Sequence, residues 1–191
     1  MPRMGLTLDQ ILSTAIEIAD ESGYESITLS LIAQKLNIKS PSLYNHVKGL
    51  DGLRKQLTIY GLQKLYDTMA DSVIGKSGDD AILEVGRSYV QFARKNPGLY
   101  EATTKIDDLN DLEIKQAGDK IVTLAFRLLE VYELDQKQKI HYVRGLRSLF
   151  HGFATLERLG GFGMPVDIDE SLQEVVETFM KGIQTLTSLG E

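Results

Sequence analysis

Thr28-Leu29-Ser30-Leu31-Ile32-Ala33-Gln34-Lys35-Leu36-Asn37-Ile38-Lys39-Ser40-Pro41-Ser42-Leu43-Tyr44-Asn45-His46-Val47-Lys48 reads as two short helices joined by a tight turn. Thr28 is an N-cap residue type, and Leu29, Ile32, Ala33 and Leu36 then fall on one face at helical spacing. Asn37 follows; after glycine it best tolerates the left-handed backbone such a turn requires. Ser40 reads as the next N-cap and Pro41 as the first helical residue, with Ser42 to Val47 as the body. If Leu43 and Val47 point inward, then Lys39, Ser40, Ser42, Tyr44, Asn45 and His46 form a mainly polar outward face. A rod of this kind, braced by the helix before it, fits a DNA major groove about 12 Å wide and can hydrogen-bond phosphates and base edges. Lys48 adds positive charge at its far end. Thr28, with the free N–H groups of its helix, offers a seat for a backbone phosphate.

Outward from this stretch the pattern stays helical. Leu8, Ile11, Leu12, Ala15, Ile16 and Ala19 mark a helix from Leu8 to Ser22, capped by Thr7 and stopped at Gly23. A long helix from about Leu50 to Val73 is expected to break at Gly52 and Gly61, and Gly75-Lys76-Ser77-Gly78 ends it. Further helices are expected over Asp79–Asn96, Leu109–Tyr132, Asp135–Leu159 and Glu170–Leu189, the last capped by Asp169, with an irregular piece between Pro97 and Asp108. The expected fold is all-α. A three-helix helix-turn-helix module occupies residues 1–48, and a helical bundle occupies 49–191, joined through the helix that starts near 50.

The chain has 191 residues, 42% hydrophobic and 25% charged, which is the composition of a globular domain. With no cysteine and no apolar run near the roughly 18 residues of a membrane span, a cytoplasmic protein without membrane contact is expected. The net charge of −6 argues against indiscriminate polyanion binding, yet residues 1–60 carry six basic and six acidic side chains, so the excess acid lies entirely beyond them. Distant acids are screened within about 8 Å at physiological salt. His46, His141 and His151 have no helical i,i+4 partner among themselves, so neither a metal site nor another cofactor is expected. Gly75-Lys76-Ser77 lacks the first glycine and the strand of a phosphate loop, and Gly160-Gly161-Phe162-Gly163 ends a helix instead of opening one. No nucleophile elbow appears, and an enzyme is not expected.

Thr28-Leu29-Ser30-Leu31-Ile32-Ala33, Leu36-Asn37-Ile38 and Leu43-Tyr44-Asn45-His46-Val47-Lys48 resemble the DNA-binding module of the tetracycline-repressor (TetR) family over roughly residues 7–60. The resemblance implies a homodimeric transcriptional regulator, most often a repressor, that binds a palindromic operator. A small effector bound in the C-terminal body would change the spacing of the two recognition helices. Asn37 stands where the family usually has glycine, and Leu50 where it often has a phosphate-binding lysine. His151-Gly152-Phe153 and Gly160-Gly161-Phe162-Gly163-Met164-Pro165 are similar to one C-terminal subclass of such regulators. That likeness implies that the last two helices pair with their symmetry mates.

The stripe Leu172, Val175, Val176, Phe179, Ile183 and Leu186 is the expected dimer interface. Phe92, Tyr100, Phe126, Tyr142, Phe150 and Phe153, with Arg144 as a polar group, are the expected lining of the effector site. Each aromatic residue at helical spacing is equally at home in a core. The competing reading is a helical small-molecule-binding protein or enzyme whose N-terminal module does not touch DNA.

Overall fold

The computed structural model describes residues 5–108 and 110–188, without the side chains of 186–188. Among these residues the chain is all-helical and contains no strand, as the sequence pattern implies. Helix α1 spans Leu8–Ser22, α2 Leu29–Lys35, α3 Gly49–Ser72, α4 Gly78–Lys95, α5 Pro97–Thr104, α6 Leu112–Leu128, α7 Gln136–Arg158 and α8 Ile168–Ser188. Two 3-10 segments, Tyr24–Ser26 and Ser40–Asn45, flank α2.

Local chemistry sets most of these boundaries. Thr7 accepts from the Gln10 amide at 3.3 Å while its own amide donates to Gln10 Oε1 at 3.0 Å, a reciprocal cap that starts α1. Thr28 Oγ1 accepts from the Leu31 amide at 3.2 Å and starts α2. Asn37 takes φ 51°, the left-handed conformation its side chain tolerates best after glycine.

Four expectations are corrected. The segment after the turn is a 3-10 helix whose N-cap is Lys39; Ser40 is its first residue and makes no side-chain cap. Ser42 N donates to Lys39 O at 2.9 Å and His46 N to Leu43 O at 2.9 Å, the i→i+3 pattern that short segments adopt. Helix α3 runs without interruption through Gly52 and Gly61. The piece after Pro97 is the helix α5, for which Pro97 supplies the preset φ of a first turn. Asp167, not Asp169, caps α8, its carboxylate accepting from the amides of Asp169 and Glu170 at 2.9 Å each.

The chain divides into two compact units, the first reaching to Gln63 and taking in Asn96–Ala117, the second comprising Lys64–Lys95 and Gly118–Glu191. Packing thus assigns to the first unit more than the 48 residues that carry the DNA-reading pattern. Its core joins Ile11 and Ile18 of α1, Ile32 of α2, Leu43, and Leu53 and Leu57 of α3, all buried.

Helix α5 is pinned to this core from two sides. The Asp20 carboxylate accepts from the Gly98 amide at 2.7 Å, and Thr58 Oγ1 donates to Ala102 O at 3.0 Å. Gly98 sits so close to α1 that a Cβ there would lie 2.8 Å from the Ala19 carbonyl carbon and 2.9 Å from the Asp20 nitrogen. Tyr24, buried, has Arg54 5.5 Å and Lys105 5.7 Å from its ring centre, and Glu25 pairs with both cations at 3.2 and 2.7 Å.

In the second unit α4 packs on α7 and α8. The Phe150 ring lies directly over Gly86, where a Cβ would come within 2.5 Å of it. Arg94 of α4 holds Glu157 at the end of α7 at 2.8 Å and Asp169 at the start of α8 at 2.5 Å, so one guanidinium ties both ends of the intervening loop. These bonds hold the Asp169 carboxyl below its ordinary range. Asp79, at the start of α4, accepts from the Tyr132 hydroxyl and from Gln184 of α8.

The contact at Gly98 is backbone against backbone, which cannot relax cheaply. Gly98→Ala is therefore expected to destabilise the protein by about 1–3 kcal/mol, the range for overpacking, read as a lower urea midpoint; an unchanged midpoint would show that α5 is free to shift.

Candidate nucleic-acid interface

Of the face expected to point outward, four of the six residues lie in solvent. Leu43 and Val47 are buried at 0% and 3% exposure, which turns Lys39, Tyr44, Asn45 and His46 to solvent, with Tyr44 61% exposed. Ser40 and Ser42 are half-buried, and Thr28 and Lys48 are exposed. Because residues three apart superpose in a 3-10 helix, Ser42 and Asn45 share one row and Pro41 and Tyr44 another, while Ser40 lies over Leu43 on the inner row. Pro41 is exposed and adds an apolar ring to the outward face. In sequence Pro41 is a helix starter; the period-3 geometry that puts it on the outward face belongs to the 3-10 backbone.

Charge on this unit is sorted by pairing. Lys35 is held by Glu17 at 3.3 Å and Glu21 at 2.9 Å, Arg54 by Glu25, and Lys55 by Asp111 and Glu113 at 2.7 Å each. These carboxylates raise the ammonium groups of Lys35 and Lys55 above the ordinary lysine range. Lys39 and Lys48 form no ion pair with any described residue. Leu50, at the position of a frequent family lysine, instead packs against the core.

The remaining expected site residues separate. Phe92 and Phe150 are buried and Phe126, Tyr142 and Phe153 half-buried in the second unit, where Arg144 is exposed. The Tyr89 ring lies 6.0 Å from that of Phe150, tilted by 41°, and the Phe153 ring lies 5.4 Å from that of Phe162 in the loop before α8. Tyr100 is buried on α5, in the first unit.

On α8, Leu172, Val176 and Ile183 are 0%, 1% and 2% exposed within the protomer's own packing. Helical periodicity identifies an apolar face without saying what covers it, and here α4 and α7 do. Val175 points outward at 38% exposure, and Phe179 lies across Gly145 of α7 with its ring edge-on to Tyr142 at 6.2 Å. The Leu186 side chain lies outside the described residues. Among the described residues no group of three or more His, Cys, Asp or Glu is placed to hold a metal ion, and no helix is long and apolar enough to cross a membrane.

An exposed polar 3-10 helix braced by α2 and flanked by lysines that pair with no described carboxylate, in an all-helical chain, defines the class of helix-turn-helix regulators. Residues 82–179 match the family described as tetracyclin repressor-like, C-terminal domain. The chain is 43% identical over 183 residues to the uncharacterized HTH-type transcriptional regulator YobS of Bacillus subtilis (strain 168), covering 95% of each chain. It is 29% identical over 186 residues to the uncharacterized HTH-type transcriptional regulator Rv0681 of Mycobacterium tuberculosis, covering 97% of this chain and 85% of that one. The chain belongs to the TetR family of helix-turn-helix transcriptional regulators, which are not enzymes. Its fold is also that of a Rhodococcus sp. RHA1 protein of unknown function (TM-score 0.83, 19% identity, 95% and 98% covered). A TetR variant from Acinetobacter baumannii AYE in complex with minocycline shares it too (TM-score 0.70, 15% identity, 95% and 98% covered).

Thr28 starts the bracing helix by a single side-chain cap. Thr28→Ala is expected to cost about 1 kcal/mol of stability, the usual loss for such a cap; equal denaturation midpoints would show that the Leu31 amide is satisfied without it.

Proposed function

We propose that the protein is a ligand-responsive repressor that binds a palindromic operator as a homodimer in the cytoplasm. The observation that carries this reading is the sorting of charge on the head: Lys39 and Lys48 bracket the recognition segment and have no described carboxylate partner, while Lys35, Arg54 and Lys55 are neutralised from within. Phosphate neutralisation by free lysines releases counterions and supplies sequence-independent affinity. Ser42, Tyr44 and Asn45, with Thr28, Ser40 and His46 at the margins, then select sequence and register.

Two-fold symmetry presents two such segments to half-sites about 34–36 Å apart, or to a longer compatible spacing. The partner surface falls on the outward faces of α7 and α8, with Val175 and Phe179 contributing and Leu172, Val176 and Ile183 supporting them from the core. The likeness of Gly160-Gly161-Phe162-Gly163-Met164-Pro165 and His151-Gly152-Phe153 to one C-terminal subclass supports assigning the body to it. The effector is a small molecule held in the second unit's aromatic layer, among Phe92, Phe126, Tyr142, Phe150 and Phe153, with Arg144 as its polar contact. It acts by favouring a body state with a different separation of the two heads, which changes affinity by as much as its own preference between states.

Selection of genomic fragments by the purified protein at low salt tests the DNA reading directly. Recovery of a palindromic sequence is the expected result, and retention of no preferred sequence would end it in favour of a small-molecule-binding protein. On that operator, Lys48→Ala is expected to weaken binding uniformly and to shallow the log–log salt dependence by about 0.9 per lost contact. Asn45→Ala should instead relax sequence preference. Val175→Glu places a charge on the proposed partner surface without entering the core, so sedimentation is expected to show monomers; an intact dimer would move the interface elsewhere.

A further inference from the structure

Helix α3 carries a second cation on the side of Lys48. Lys48 immediately precedes α3, its carbonyl accepting from the Gly52 amide at 3.3 Å, and Lys55 lies in the second turn of that helix. Both line a cavity of about 240 Å³, together with Asp51, Asp107, Asp108 and Asp111. Their situations differ. Lys48 meets no described carboxylate, whereas the Lys55 ammonium is gripped by Asp111 Oδ2 and Glu113 Oε1, each at 2.7 Å. The grip is anchored, because Asp111 also caps α6 by accepting from the amides of Glu113 and Ile114 at 2.9 and 3.2 Å. It is also accessible. Lys55 is 28% and Glu113 63% exposed, and ion pairs in that setting exchange readily for other anions.

We propose that Lys55 is a second phosphate anchor on the DNA-facing end of α3, masked in this structure by Asp111 and Glu113. Operator phosphate and two carboxylates compete for one ammonium group, so the head holds DNA less tightly than its cations could. This rests on the reading of the head as DNA-binding. It assigns to the first turn of α6 the role of a competing anion. Any state of the protein that draws Asp111 and Glu113 away from α3 would gain one phosphate contact per protomer.

The double variant Asp111→Asn, Glu113→Gln removes both competing charges while asparagine keeps a capping oxygen at the start of α6. Operator affinity is measured against salt for this variant, for wild type, for Lys55→Met and for the triple combination. With one contact unmasked in each protomer, the slope is expected to steepen by about 1.8 for the dimer, so the affinity lost between about 50 and 200 mM salt grows about tenfold. Adding Lys55→Met should return the slope to the wild-type value, which generic removal of negative charge would not do, and Lys55→Met alone should leave it near wild type. Should the double variant melt early, Glu113→Gln alone, which touches no cap, is expected to steepen the slope by a smaller amount. A folded double or single variant with the wild-type slope overturns the masking, as does a Lys55→Met protein whose slope is already shallowed as much as that of Lys48→Ala. A wild-type protein that retains no preferred sequence overturns the DNA reading itself, and the masking with it.

Discussion

A 3-10 helix of six residues has few internal hydrogen bonds, and their geometry is poorer than in an α-helix, so Ser40–Asn45 cannot hold its shape alone. Its conformation depends on burying Leu43 and Val47 in the core formed by α1, α2 and α3. Each such side chain contributes about 1.5–3 kcal/mol when fully buried. The two anchors fix the rotation of the segment about its axis. That rotation decides which side chains can face a groove. Tyr44 and Asn45 are outward because Leu43 is inward, and no hydrogen bond of their own is needed to keep them there.

The same core reaches beyond the DNA-reading pattern. Helix α5 lies more than forty residues after the recognition segment, yet Asp20, Ala19 and Thr58 hold it as tightly as any neighbour in sequence. The Gly98 contact leaves no room for a side chain between α5 and α1. Residues on either side of α5 belong to α4 and α6, most of whose lengths lie in the second unit. The polypeptide therefore enters the first unit a second time, at a helix packed against the recognition core.

Much of this was legible from residues. Thr7, Thr28, Asn37 and Gly23 announce their caps and turns because each acts within four positions of itself, and a local rule needs no knowledge of the fold. Where partners are distant the pattern fell short. The stripe on α8 is apolar by its spacing, but whether Leu172 meets its own α4 or another protomer is a question of packing. Tyr100 looked like its fellow aromatics by spacing, and only the contact of α5 with α1 assigns it to the other unit. Gly61 looked like a break in α3, because an unpaired glycine in a helix costs about 1 kcal/mol; in the structure it lies against Thr103 and Leu99, where any larger residue would collide.

Charge shows the same division between local and distant information. An acidic chain with an N-terminal region of no net charge is a poor DNA binder by arithmetic, and the sequence could only require that its charges be sorted by face. The sorting is achieved by pairing. Every carboxylate that neutralises Lys35 comes from α1, the partner of Arg54 follows α1 at Glu25, and the partners of Lys55 come from the start of α6, fifty-six and fifty-eight residues later in the chain. Acids placed this way do more than offset charge. They withdraw particular cations from the surface and leave Lys39 and Lys48 exposed at the ends of the recognition segment. Net charge therefore says little about where a polyanion can dock, because the field within one Debye length is set by the few groups that no internal partner has claimed.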